Sequence, residues 1–94
     1  MKVVINDRHG GFGLSTEAEL KYKDILGITD PHFYVSMDIN RDCPTLVALV
    51  EEMGERVNSS YSRLKIVEVP EGVNWHIVEY DGLEHVAENH RTWQ

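Results

Sequence analysis

The sequence predicts a small α/β (α+β) domain, a two-layer sandwich in which two helices cover one face of a mixed sheet. Three observations predict this fold. Short apolar runs alternate with two amphipathic helical patterns, the chain has only 94 residues, and Asp81-Gly82 separates two alternating runs as in a β-hairpin. The order is βαβαββ, without repeats or low-complexity segments, so residues 1–94 are expected to form a single domain.

The first half of the chain reads as a strand, a glycine-rich loop and a helix. Residues 3–5 are a short apolar run that ends at Asn6. Thr16 and Glu19 have the spacing of a capping box, and Gly27 is placed to end the helix. The apolar stripe of this helix has a period near 3.6 and consists of Leu14, Ala18, Tyr22 and Ile25.

A second strand, a second helix and a third strand follow. Residues 32–39 are aromatic and β-branched, as in a strand. Asp42 is a candidate cap for the next helix, with Pro44 in its first turn and Gly54 as a weak point. The stripe of this helix is Leu46, Val47, Val50, Met53 and Val57. Residues 64–69 are predicted as the third strand.

The C-terminal hairpin spans residues 75–88. A two-residue loop at Asp81-Gly82 places Tyr80 opposite Leu83, Glu79 opposite Glu84 and Ile77 opposite Val86. Two opposed glutamates destabilise the pair unless a cation or a basic partner lies between them. If the βαβ steps are parallel and right-handed, both helices lie on one face of the sheet, and the open far face favours a homodimer.

Composition and charge exclude several classes of protein. The net charge is −7, with 9 basic and 16 acidic residues and most of the excess in the second half, so general nucleic-acid binding is not expected. No apolar run is long enough to span a bilayer, and the N-terminal segment lacks the features of a secretory signal, so we expect a cytoplasmic protein without membrane contact. Cys43, the single cysteine, excludes an internal disulfide and a multi-thiolate metal site.

The glycine-rich loop "RHGGFGLS" is the main candidate ligand site. In a parallel sheet it adjoins the segment "INRDCP" at the edge where α/β proteins bind ligands. Exposed loop amides and the start of the helix favour an anion, with Arg8 and Arg41 as countercharges and Phe12 available to stack on a base. The candidate ligand-binding residues are Arg8, His9, Gly10, Gly11, Phe12, Gly13, Ser15 and Arg41. The alternative is that the glycines only turn a corner and that Phe12 fills the core, since neither G-x-G-x-x-G nor the phosphate-loop motif is present.

Several segments together resemble a known family. "KVVIN", "GGFGLS", "LKIVEVP", the "EYDG" hairpin and the closing "HRTW" look like a family of small proteins of unknown function encoded by tailed phages. The resemblance covers nearly the whole chain and carries over no catalytic residues. It implies synthesis in the bacterial cytoplasm during infection, and accessory proteins of this kind often bind a host protein or a nucleotide signal.

Three functions follow in order of preference. The first is a non-catalytic phage accessory protein, one that could counter a host defence, holding a small phosphate-bearing ligand or nucleotide at the glycine-rich loop. The second is an acidic inhibitor of a host protein, with an interaction surface of Glu79, Asp81, Glu84, Glu88, Arg91 and Trp93. Trp93 has the alternative role of folding back onto the sheet.

The third function is a small hydrolase, in which His9 would act as base for Cys43 or Ser15. No third, orienting residue is identifiable for either pair, so no catalytic residue is assigned. No cofactor is implied. A metal site is not expected, although His76 and His85 fall on the same face of the predicted hairpin.

Overall fold

The structure, a computed structural model, describes residues 1–30 and 39–88. Its elements confirm a small α+β domain. They are β1 (Lys2–Asn6), α1 (Thr16–Leu26), α2 (Pro44–Met53) followed by a 3-10 turn (Gly54–Val57), β2 (Leu64–Glu68), β3 (Trp75–Tyr80) and β4 (Leu83–Glu88). Within the described ranges, no helix is long and apolar enough to cross a membrane.

β1 and β2 form an antiparallel two-stranded ribbon. Val3 lies opposite Val67 and Ile5 opposite Lys65. On the other edge of β1, the Val4 amide donates to the Arg41 carbonyl at 2.8 Å, so the segment before α2 runs beside this strand. Of the strand predicted at residues 32–39, all but the last residue lies outside the described residues, and its parallel pairing with β1 stays a prediction.

β1 is buried on both faces of the ribbon, because its residues 3–5 are apolar and alternate between the two sides. Val4, Leu64 and Ile66 pack with both helices, which therefore share one face as predicted. The opposite face packs against the β3–β4 hairpin in a cluster that contains Val3, Ile5, Val69, Trp75, Ile77 and Val86. The hairpin thus forms a third layer. It covers the face of the sheet opposite the helices, and the expected exposure of that face was the reason to predict a homodimer.

The ends of α1 follow from local chemistry. Its N-cap is Ser15, whose hydroxyl accepts a hydrogen bond from the Ala18 amide at 3.1 Å, so the capping residue precedes the predicted Thr16. Gly27 ends the helix in the left-handed conformation, as predicted. Ile25 is 60% exposed, in contrast to the predicted apolar stripe, because the buried contacts of the helix end at Tyr22.

α2 supplies the largest share of the core. It begins one residue later than expected from Asp42 as the capping residue. Cys43 occupies the N-cap position instead of Asp42, and Pro44 lies in the first turn, where its missing N–H has no intrahelical acceptor. The α-helix ends at Met53, since Gly54 has a φ of 58°, and the chain continues as the 3-10 turn.

The hairpin has the predicted register. Tyr80 pairs with Leu83, Glu79 with Glu84 and Ile77 with Val86. Both turn residues have positive φ, 51° at Asp81 and 87° at Gly82, which identifies a type I′ turn. The Asp-Gly dipeptide therefore fixes the pairing of every residue in the two strands.

Candidate functional site

The glycine-rich loop packs directly against the tip of the hairpin. Gly10 and Gly11 have φ values of 132° and 103°, and the Gly10 amide donates to the Asp81 carbonyl at 3.3 Å. A Cβ atom on Gly82 would lie 2.3 Å from the Gly11 nitrogen and 2.5 Å from the Gly10 nitrogen. The two backbones touch without intervening side chains. This contact explains why position 82 requires a glycine. It also supports the interpretation that Gly10 and Gly11 serve to turn the chain.

Asn6, a residue not anticipated as important, joins the loop, the hairpin and β2. Its side-chain amide nitrogen donates to the carbonyls of Arg8 and Gly82, both at 2.7 Å, and its side-chain oxygen accepts from the Arg63 amide at 2.9 Å. The residue has no solvent exposure. Its position at the end of a buried strand, before a loop, was the only sequence signal for this role.

Arg41 is brought next to the loop, but its charge is already compensated. Its guanidinium donates to both carboxylate oxygens of Glu84, at 2.6 and 2.9 Å, and lies 3.5 Å from the centroid of the Phe12 ring. Glu84 Oε1 also accepts from the Asn6 amide at 2.8 Å. Arg41 therefore supplies the countercharge for Glu84, one of the two opposed glutamates, and Phe12 stacks on an arginine of its own chain.

Hydroxyl groups line a cleft at the start of α1, which we call the α1 cleft. Its volume is about 230 Å³, and it is lined by Leu14, Ser15, Thr16, Asn58, Ser59 and Ser60. Arg8, an exposed side chain, reaches the Ser60 carbonyl at 3.4 Å and so lies beside this cleft. Sequence reasoning found Arg8 and Ser15 but missed Ser59 and Ser60. The available signal was the run of hydroxyl residues in "NSSYS".

Some polar groups of the α1 cleft are already engaged. The Ser15 amide donates to the Val57 carbonyl at 2.8 Å, and its hydroxyl donates to the Arg56 carbonyl at the same distance. Gly13 contributes a carbonyl that accepts from the Ser62 hydroxyl at 2.7 Å. These bonds hold the loop and the segment after the 3-10 turn together. A ligand would therefore meet the Thr16 and Ser60 hydroxyls and Arg8 rather than a cradle of glycine amides.

His9 lies on the hairpin side of the loop. Its Nδ1 atom is 3.2 Å from the Asp81 carbonyl oxygen and 3.9 Å from a carboxylate oxygen of the same residue. The imidazole also meets the Tyr80 ring edge-on, with 6.4 Å between centroids. Tyr80 is 77% exposed. His9 therefore packs on the hairpin tip, and within the described part of the chain its imidazole contacts Asp81 and Tyr80 rather than Ser15 or Cys43.

The predicted acidic surface is divided among different environments. Glu84 is buried, so its carboxylate belongs to the interior and is not available to a partner. Glu79 accepts a hydrogen bond from the Gly82 amide at 2.7 Å. Asp81 lies exposed at the turn, whereas Glu88 lies exposed at the opposite end of β4. Arg91 and Trp93 lie outside the described residues. The four carboxylates thus do not form one continuous exposed face.

Cys43 and Tyr22 form a partly buried pair, with 3.6 Å between the thiol sulfur and the phenol oxygen. Burial raises the pKa of the Cys43 thiol, but the backbone N–H groups of Leu46 and Thr45 and the Tyr22 hydroxyl stabilise the thiolate more, so the net pKa lies below its ordinary value. Burial and the neighbouring sulfur raise the pKa of Tyr22 to about 12. Among residues 1–30 and 39–88, no basic side chain contacts the thiol, so this geometry does not assemble a nucleophilic site.

The histidines of the hairpin share its outer face, as the register shows. Val78 pairs with His85, and His76 lies two residues before Val78 on the same strand. Among the described residues, no group of three or more histidine, cysteine, aspartate or glutamate side chains could hold a metal ion.

No protein-family model, curated protein or solved structure matches this chain.

Proposed function

We propose that this protein is a non-catalytic binding protein that holds a small phosphate-bearing ligand in the α1 cleft. The observation that supports the proposal is the combination of a hydroxyl-lined cleft at a helix N-terminus with an exposed arginine beside it. Within the described residues the Arg8 side chain makes one long hydrogen bond, to the Ser60 carbonyl at 3.4 Å, so its guanidinium can turn toward an anion at little cost.

The α1 cleft combines groups that favour an anion with two acidic residues in the first turn of the helix. The first amides of α1 and the helix dipole present partial positive charge to the cleft. Glu17 and Glu19, both in the first turn, oppose an anion, and of the two only Glu17 has an ion-pair partner among the described residues, Arg56. The Thr16 and Ser60 hydroxyls line the cleft and can donate to phosphate oxygens. Arg8, Thr16 and Ser60 are therefore the proposed ligand-binding side chains.

The resemblance to phage-encoded proteins supplies the context of this proposal. A protein made during infection could use such a cleft to sequester a nucleotide signal in the host cytoplasm, without chemistry at the phosphate. The rival function, an acidic inhibitor of a host protein, loses support because Glu84 is buried and paired with Arg41.

The test is a titration of the ¹⁵N-labelled protein with inorganic phosphate, pyrophosphate and adenosine monophosphate, followed by amide chemical shifts. We expect the largest shifts at the amides of Thr16, Glu17 and Ser60, and we expect Arg8→Ala to abolish them. Arg63→Ala is the matched control, because Arg63 is also exposed but donates to the Asp7 carbonyl and carboxylate at 3.0 and 3.4 Å.

Loss of binding in the Arg8 variant with retention in the Arg63 variant would support the α1 cleft. Shifts that survive Arg8→Ala, or that cluster away from α1, would refute it. A thermal-shift measurement provides a second readout, since a ligand at about 100 times its dissociation constant adds about 2.7 kcal/mol to the free energy of unfolding. For a domain of this size, that gain corresponds to about 10 °C or more.

A further inference from the structure

The outer edge of β4 is unpaired within the part of the chain that the structure describes. In a two-residue type I′ hairpin, Tyr80 and Leu83 exchange backbone hydrogen bonds, so the backbone groups of alternate residues point away from the partner strand. On β4 the outward residues are Glu84, Val86 and Glu88. None of their amides or carbonyls makes a hydrogen bond to another described residue.

A groove, which we call the β4 groove, runs along this edge. It consists of two cavities of about 390 and 190 Å³ that share Val67 and Val86 as lining residues. β2 lies on one side of the groove and β4 on the other. The apolar lining continues to Ile5 at one end and to Val69 and Trp75 at the other. The free backbone groups of β4 thus adjoin an apolar surface long enough for several residues of extended chain.

We propose that the β4 groove binds an extended peptide segment of a partner protein, which adds to β4 as a further antiparallel strand. Backbone groups of the peptide would pair with the amide and carbonyl of Val86, and alternate side chains would enter the two cavities. The lining requires apolar, preferably β-branched, side chains at those alternate positions.

The charges at the two ends of the β4 groove define the partner further. Lys65 lines the end near Leu83, and its ammonium group has no ion-pair partner among the described residues. Asp7 also lines this end, but its carboxylate pairs with Arg63. Glu68 and Glu88 line the other end; the Glu68 carboxylate lies 3.7 Å from the N-terminal ammonium, so Glu88 is the carboxylate there without an ion-pair partner among the described residues. The segment that fits best therefore carries an acidic residue near Lys65 and a basic residue near Glu88.

Hydrogen exchange of the free protein tests the first premise. The Val86 amide should exchange much faster than the His85 amide, because only the latter lies in a hydrogen-bonded pair of the hairpin. Slow exchange of Val86 in dilute free protein would mean that the chain itself covers the edge, and it would overturn the proposal. Protection that appears only as the protein concentration rises would assign the edge to a second copy, which also overturns it.

Peptide binding tests the proposal directly, with the blocked hexapeptide Ac-Lys-Val-Thr-Val-Thr-Glu-NH₂ as the probe, whose charges match the groove when it runs antiparallel to β4. Binding should slow exchange at Val86 and shift the amides of residues 84–88. A matched peptide with proline in place of the second valine keeps both charges but lacks an N–H, and it should not protect Val86. Equal protection by both peptides, or by neither, would overturn strand addition.

Lys65→Glu tests the polarity of the β4 groove. The variant should bind the probe about fivefold more weakly and should regain affinity for a probe whose glutamate is replaced by lysine. Lys21→Glu, on α1, is a control with the same change in net charge and should leave both affinities unchanged. Equal responses in the two variants would show that net charge alone governs binding, contrary to the proposal. This inference is independent of the α1 cleft, whose variants leave the β4 groove intact.

Discussion

Arg41 and Glu84 form a two-pronged ion pair whose side chains are only 18% and 7% exposed. The pair joins the segment before α2 to β4, and the same carboxylate accepts the Asn6 amide. Replacing Glu84 by Gln should lower the free energy of unfolding by about 3 kcal/mol, because it leaves a largely buried guanidinium without its countercharge. Urea denaturation measures this loss.

A double-mutant cycle with Arg41→Met separates the pair from the rest of the fold. The Arg41→Met, Glu84→Gln double variant should be less destabilised than the two single losses together imply, because it has no isolated buried charge. Additive losses would indicate that the two side chains act independently. Glu88→Gln, an exposed carboxylate on the same strand, should change stability by less than about 0.5 kcal/mol.

Asn6→Ala should be among the most destabilising polar substitutions in this domain. It removes two donated bonds and one accepted bond, and it leaves the carbonyls of Arg8 and Gly82 without their partner. We expect a loss of about 3 kcal/mol in the free energy of unfolding. Asn74→Ala, at an exposed position before β3, provides the comparison and should have little effect. Similar losses in the two variants would contradict the joining role of Asn6.

Gly82 and Gly72 allow backbone strain to be separated from steric contact. Both have positive φ, 87° and 78°, but a Cβ on Gly72 would meet no atom within 4 Å, whereas on Gly82 it would collide with the loop backbone. Gly72→Ala should cost about 1 kcal/mol from the backbone conformation alone. Gly82→Ala should cost about 3 kcal/mol or more, because the loop and the hairpin tip must separate. Thermal or urea unfolding of both variants measures the difference.

The Cys43 thiol should react with iodoacetamide along a pH profile whose midpoint lies below that of an ordinary cysteine, about 8.5. Because the pKa is lower in the folded state, this group adds stability that is present above the pKa of the unfolded chain and is lost as the pH falls through the folded pKa. Tyr22→Phe removes one donor to the sulfur, so the midpoint should rise. An unchanged midpoint would show that the Tyr22 hydroxyl does not stabilise the thiolate.

Local signals predicted much of this fold. The Asp81-Gly82 dipeptide fixed the register of β3 and β4, and Gly27 and Pro44 marked an end and a beginning of helices. The antiparallel pairing of β1 with β2 was not predictable in the same way, because the two strands are separated by most of the chain and share no local motif. Their apolar residues fit either a parallel or an antiparallel neighbour.

The candidate site was predictable only in part. Arg8 and Ser15 were found from the loop pattern, but the serines that complete the α1 cleft come from a distant segment that carries no ligand motif. The sequence also did not reveal that Arg41 would be paired with Glu84, since that contact depends on how the hairpin packs over β1. Contacts between side chains from three separate segments have no periodic or dipeptide signature.

The backbone contact between Gly82 and the glycine-rich loop decides where this chain accepts inserted sequence. Hairpin tips are usually the places where a reporter peptide, or new termini in a circular permutant, can be introduced without harm. At Gly82 the backbone of this tip is instead buried against Gly10 and Gly11, although the Asp81 side chain beside it is exposed. The turn at Gly72, which has open space around it, is the better place for such engineering.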